Sequence, residues 1–338
     1  MAASKINRRD FVSGGALAAG ALAGSIGQAQ TSRPSGNGIL NYNENMEYRR
    51  LGKTGLMVSA VCLGGHWKRI ETMIGGEPLS GGYSPRDWTY LKRPGFYKNR
   101  DEVVSRCIEV GINYLDAMAA PEVVAYGQVL KGRRDKMYFG FGWSTKEPRY
   151  PEWRDPKKLL QGFDENLKEA GLDYVDVWRV TLPMEGIPDL GELQRVEDAT
   201  IEGLTRAKKA GKARFTGVST HNRVWLRSLI EQYPDVIQVA LFPYTANSKE
   251  LPKESLFGAV RKFDVGTFAI KPFGDNSLFA GNSALASPQA AEDDRRARLA
   301  IRYILSNPAI TAPIPGMINT HQVDNAALAV RERRKLDG

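Results

Sequence analysis

The feature that most constrains this chain is an alternation: short apolar, β-branched runs, each followed by a longer segment with helical periodicity. The runs are Val58 to Gly64, Ile112 to Asp116, Met137 to Gly142, Val175 to Thr181, Ala213 to Ser219, Ile237 to Leu241, Val265 to Ile270 and Ile310 to Ile314, eight in all. Between them, Asn99 to Val110, Leu159 to Ala170, Ala199 to Ala210 and Asp293 to Leu305 read as helices, the first with Val103, Val104, Cys107 and Ile108 on one stripe. Asn99, with Glu102 three residues on, reads as a cap, and Gly111, Gly171 and Gly211 stand where helices should stop. Eight βα units are more than a doubly wound sheet of this length usually holds, so the expected fold is α/β, a (β/α)8 TIM barrel. A hairpin, Tyr48 to Arg50 and Leu56 to Val58 around Lys53-Thr54-Gly55, is expected to plug the mouth opposite the strand ends where such barrels bind ligands.

Ahead of the barrel, residues 4–11 read Ser-Lys-Ile-Asn-Arg-Arg-Asp-Phe, followed by an apolar stretch of small residues from Val12 to Ile26 and a small-residue site at Ala29. This is the pattern of a twin-arginine signal over residues 1–29, too short and too weakly apolar for a stable membrane span. The polar, Pro- and Gly-bearing residues 30–46 are expected to be a disordered linker, leaving 47–338 as the barrel. The expected destination is the periplasm or the extracellular space, reached through the twin-arginine translocon, which carries folded proteins. The formal net charge of +9 is scattered and no recognition motif accompanies it, which argues against nucleic acid as a partner. Cys62 and Cys107, the two cysteines, lie in apolar surroundings and read as packed core thiols, not as a disulfide or a zinc pair.

Several segments, taken together, carry a resemblance: residues 48–65 (YRRLGKTGLMVSAVCLGG), 111–117 (GINYLDA), 130–136 (LKGRRDK), 171–177 (GLDYVDV), 217–222 (GVSTHN) and 307–317 (NPAITAPIPGM). In this order and spacing the chain resembles the aldo/keto reductase family over essentially all of residues 47–330. The resemblance implies NADPH-linked carbonyl reduction, with an Asp, Tyr, Lys and His at the ends of the second to fourth strands. Carried onto this chain, the Asp is Asp116. Pro121 stands in the region of the Tyr, Gly142 at the Lys and Thr181 at the His, while Tyr126-Gly127 matches a later part of the following helix.

The residues themselves offer replacements. Strand alternation puts Arg179 and Thr181 on one inward face, and a charge in a barrel interior needs a partner, for which Asp116 is the obvious choice. His66 and His221 follow the first and fifth strands directly and titrate in the right range to act as acid or base. The candidate catalytic set is therefore Asp116, Arg179, Thr181, His66 and His221. Residues 66–98 form a long first loop with Trp67, Tyr83, Trp88, Tyr90, Phe96 and Tyr97, expected to be either a lid with stacking surface for a sugar-like small molecule or a packed insertion.

By resemblance, the cofactor is NADP or NAD. Its nicotinamide amide falls to Ser219, Thr220 and Gln238, its pyrophosphate to Lys271 and the amides around Gly274, and its adenine end to Gln322 and Asn325. Ile270 replaces a stacking residue, and Ile318 replaces the Arg that usually pairs with the 2'-phosphate. Two readings follow. One is an NAD(P)-linked oxidoreductase acting on a carbonyl or sugar hydroxyl with a non-standard acid/base. The other is a barrel that has left redox chemistry: a lyase, isomerase or hydrolase, with a metal at His66, Glu147 and His221 as one form of it, or a binding protein.

Overall fold

The computed structural model describes residues 38–77, 87–248 and 255–336. The signal segment lies outside these residues. Of the segment expected to be a disordered linker, residues 38–46 are described and packed: Ile39 and Met46 are buried, and Asn43 donates to the carbonyl of Glu109. The packed region thus begins before residue 47, because the few apolar side chains in this polar stretch find the outside of a helix to cover.

Eight parallel strands form one sheet in sequence order: β3 (Leu63–Gly64), β4 (Tyr114–Ala117), β5 (Tyr138–Phe141), β6 (Val175–Thr181), β7 (Ala213–Ser219), β8 (Val239–Pro243), β9 (Gly266–Ile270) and β10 (Ala312–Pro313). Its ends meet where the amides of Cys62 and Gly64 donate to the carbonyls of Pro313 and Pro315, closing the (β/α)8 barrel. The expected first strand, Val58 to Gly64, is divided: its start belongs to a hairpin, β1 (Tyr48–Arg50) with β2 (Met57–Ser59), and only its end joins the barrel. Leu51 and Leu56 of that hairpin pack into the barrel floor with Val177, Val239 and Phe268.

The helices follow the apolar stripes but begin earlier than the sequence caps implied. α2 (Phe96–Glu109) is entered through Gly95, so Asn99 lies inside the helix and its amide donates to the carbonyl of Ile318 instead of capping. Asp155 and Asp189 cap α4 (Pro156–Ala170) and α5 (Leu190–Lys209) by accepting from the amides of Lys158 and Glu192. Gly171 ends α4 in the left-handed conformation that glycine enters without steric cost.

Strand β5 and its extension read Phe-Gly-Phe-Gly-Trp. The period of two sends Phe139, Phe141 and Trp143 outward, where Phe141 meets Phe163 of α4 and Phe163 stacks on Trp178. The inward positions are Gly140 and Gly142. A Cβ at Gly140 would collide with the Tyr114 hydroxyl, and one at Gly142 would come 2.5 Å from a Glu147 oxygen and 3.0 Å from Arg179 Nη1. Two inward glycines therefore make the room into which larger side chains from β4 and β6 reach.

Candidate active site

The open end of the barrel leads into a cavity of about 490 Å3, within the range of small-molecule and cofactor sites. Its floor is an ion pair. Arg179 of β6 reaches Asp116 of β4 at 2.5 Å through Nη2 and 3.4 Å through Nε, and its Nη1 donates to Thr181 at 3.1 Å. Both charged residues are buried and both line the cavity. Burial pushes the Asp116 carboxyl up against the opposing pull of Arg179. On Arg179, burial is outweighed by Asp116, which holds the guanidinium firmly protonated. The Arg179 side chain occupies the space that a longer residue at 142 would need, so the cation comes from β6 and the glycine on β5 is its complement.

The wall beside this floor carries His66 and Glu122. Glu122 sits in the first turn of α3 (Ala120–Val129), fully buried, and accepts from the amides of Met118 at 3.3 Å and Ala119 at 3.2 Å and from the amide of His66. The His66 ring reaches the same carboxylate through Nδ1 at 2.9 Å. His66 adopts a φ of 56°, uncommon for a residue with a side chain, and the two bonds to Glu122 hold it there. Gly65 has to be glycine because a Cβ would overlap the Glu122 carboxylate. The imidazole is reached through the cavity yet surrounded by protein; burial works against its charge, but Glu122 prevails and raises its pKa from the ordinary value.

His221, after β7, also lines the cavity and stands apart chemically. Its Nε2 is buried without a hydrogen-bond partner among the described residues, and burial together with the Lys271 charge lowers its pKa, favouring the neutral ring. Tyr126 is elsewhere. Its hydroxyl donates to the Gly64 carbonyl at 2.8 Å and accepts from Trp67 Nε1 at 3.0 Å, and burial drives its pKa upward, all unsuited to an acid at the mouth.

Of the two readings of the long first loop, lid or packed insertion, its described part is the packed insertion. Trp67, Tyr90 and Phe96 are buried, with Trp67 edge-on to both Phe96 and Tyr126, and Tyr83 lies outside the described residues. Large aromatic rings beside polar groups are amphipathic in sequence, but here Trp67, Tyr90 and Phe96 are buried, while Trp88 is exposed. The trio His66, Glu147 and His221 does not gather: among the described residues no group of three such side chains is placed to hold a metal ion. Glu147 is spent, accepting from the amides of Trp143 and Thr181 and from Arg149 at 3.0 Å.

Of the residues assigned to a cofactor, Ser219, Lys271, Gln322 and Asn325 line the cavity, and Gly274 stands in the turn beside it with φ 55°. Thr220 and Gln238 depart from expectation. Thr220 is buried behind the wall and donates to the Pro183 carbonyl, and Gln238 accepts from Lys208 of α5 at 2.8 Å, neither side chain reaching the cavity. Gln238 precedes β8, at the level of Thr216, three residues short of the strand end marked by Ser219. Lys271 Nζ lies 3.0 Å from Asp275, and Lys68 donates to the Asp275 carbonyl, so two cations flank one side of the cavity. Glu122 and Arg149 were missed by sequence reasoning. An acid directly after Pro121 in an apolar helix start was a legible signal for Glu122, whereas nothing marked Arg149.

Known proteins resemble this chain in sequence and in fold. The sequence profile described as "Aldo/keto reductase family" matches residues 97–337. The chain belongs to the aldo/keto reductase family, and so to a family of oxidoreductases. It is 25% identical over 322 residues to L-galactose dehydrogenase of Arabidopsis thaliana, covering 86% of this chain and 90% of that protein. It is 22% identical over 253 residues to L-glyceraldehyde 3-phosphate reductase of Escherichia coli K12, covering 69% of this chain and 63% of that one. Among solved structures, aldo-keto reductase AKR11C1 from Bacillus halodurans (holo form) superposes with a TM-score of 0.59 at 18% identity, covering 86% of this chain and 96% of that one, a likeness of fold.

Proposed function

We propose that this protein is a nicotinamide-linked oxidoreductase that interconverts a carbonyl and an alcohol, with His66 and Glu122 as its proton-handling pair. The observation that carries the proposal is the 2.9 Å contact between His66 Nδ1 and the buried Glu122, on the same cavity as the Asp116–Arg179 floor. The donor set fits the cofactor: Lys68 and Lys271 on one side for phosphate, Ser219 for the carboxamide, Gln322 and Asn325 further along, and apolar Ile270 and Phe273 between. A bound nicotinamide would supply or accept the hydride at the substrate carbon. Nδ1 held by Glu122 orients the ring so that proton exchange with the substrate oxygen runs through Nε2. Arg179, fixed by Asp116, presents positive charge to that oxygen as negative charge develops on it. Reduction thus takes one proton from His66, and oxidation returns one.

The twin-arginine reading adds that the folded protein is exported with its cofactor already in place. Replacing Arg8 and Arg9 by Lys should retain the protein in the cytoplasm, which fractionation would show. The enzymatic proposal is tested by fluorescence titration of NADH and NADPH and by mass spectrometry of nucleotide released on denaturation. Saturable binding is expected. No binding at millimolar nucleotide would sink the proposal.

A further inference from the structure

The mouth of the cavity carries cations on the loops that follow two different strands. Lys271 follows β9, the seventh, and Arg149 follows β5, the third. The Lys271 side is accounted for by phosphate. The Arg149 side has no task in the proposed reaction.

Arg149 is held but not used up. Its Nε and Nη2 both address one oxygen of Glu147, at 3.3 and 3.0 Å, while the other oxygen of Glu147 accepts from the amides of Trp143 and Thr181. Nη1 makes no hydrogen bond among the described residues, and Arg149 lines the cavity. One carboxylate therefore separates the guanidinium from the Thr181 end of β6, beside the reaction floor. On the same mouth His221 also makes no hydrogen bond among the described residues, and its half-buried ring lines the cavity. An arginine with unspent donors and an unsatisfied imidazole on one wall are groups that a ligand completes.

Resting on the oxidoreductase reading, we infer that the substrate is a sugar acid or similar polyhydroxy acid whose carboxylate binds Arg149 and one of whose hydroxyls meets the His221 ring. A planar carboxylate matches the open edge of a guanidinium with two parallel hydrogen bonds. The choice of carboxylate over phosphate follows from charge. Glu147 offsets part of the Arg149 charge, and this buried carboxylate repels a dianion more strongly than a monoanion.

Matched pairs test this: D-galacturonate against D-galactose and D-glucuronate against D-glucose, which differ by a carboxylate in place of a hydroxymethyl group. The full chain is titrated calorimetrically with each, with and without NAD+. The acid of each pair is expected to bind about 10-fold or more tightly than its neutral partner, the size of a charge-assisted fork. Because removing Arg149 alone would leave Glu147 buried and unpaired, the variant is the double substitution Glu147→Gln, Arg149→Met. It should bring the acid-to-neutral ratio close to one while the nucleotide titration stays as in the parent. An equal affinity for acid and neutral sugar in the parent, or a ratio untouched by the double substitution, overturns the inference. So does a larger preference for D-glyceraldehyde 3-phosphate over D-glyceraldehyde than for either sugar acid. If no nucleotide binds, the oxidoreductase reading falls, and the titrations without NAD+ still decide the role of Arg149.

Discussion

Strand β6 carries a buried acid or base at each end, and the two ends have opposite characters. At its start Asp176 is held by Arg134 at 2.7 Å and Arg214 at 2.6 Å and also accepts from the amide of Phe139. Near its finish Arg179 pairs with Asp116. The chemistry is the same, but the surroundings are not. Arg214 is 45% exposed and Arg134 lies against the Tyr174 ring, so water reaches the arginines around buried Asp176. Arg179 is 5% exposed, and what access it has is to the cavity. One pair fastens the closed end of the barrel; the other holds a charge at the cavity.

The comparison breaks most visibly at Asp116. Asp116→Asn strands a buried guanidinium, so a loss of about 3–5 kcal/mol in denaturant titrations is expected, together with loss of turnover. A variant of wild-type stability and activity would remove the ion pair from both roles.

His66→Gln should leave the floor intact and lower turnover by about 10²–10⁴-fold, the usual reach of general acid–base catalysis. The pH dependence sharpens the point. In the proposed reaction reduction needs protonated His66, so its rate should fall as pH rises through a value raised from the ordinary histidine one, and oxidation should rise there. The pair's contribution to stability follows the same sign: complete below about pH 6.5, the unfolded histidine value, and lost as pH rises through the raised folded value. Glu122→Gln removes the group that raises that pKa, so the reductive limb should move to lower pH. A limb that stays in place would dissociate Glu122 from the titration.

Asp176→Asn is the counterpart at the closed end. A cost of about 1–3 kcal/mol is expected, as for losing charged hydrogen bonds, with kcat retained because nothing there touches the cavity. Arg50→Ala, at an exposed pair with Asp264 on the same end, should stay within about 1 kcal/mol. If Asp176→Asn impaired turnover without affecting stability, the division of the barrel into a fastening end and a reacting end would fail.

The barrel was legible because its signal is local and repeated. Eight apolar runs at period two, each followed by a stripe at period three to four, admit few arrangements, and Gly111, Gly171 and Gly211 do mark helix ends, each at positive φ. The pairing of Arg179 with Asp116 was legible too, because strand alternation sends Arg179 inward and an interior charge requires an opposite one. Where single residues were carried over by correspondence, the result was mixed: Lys271, Ser219, Gln322 and Asn325 reach the cavity, while Gln238 turns to Lys208 on α5. A correspondence in sequence preserves the strand position but not the direction in which a flexible side chain finds its best partner.

By itself, then, the order of residues determined the eight-stranded barrel, the inward ion pair and the histidines at the strand ends, all consequences of periodicity and of the cost of burying charge. Tertiary structure alone decided what His66 and Arg149 can do. Glu122 lies 56 residues from His66 in sequence and meets it only because β3 and the first turn of α3 converge on one wall, with a glycine at 65 to let the carboxylate in. Arg149 gains its place in the same way, from a loop whose single buried acid, Glu147, is fastened to the backbone of a different strand. Contacts of that kind depend on closure of the barrel, which no local pattern encodes.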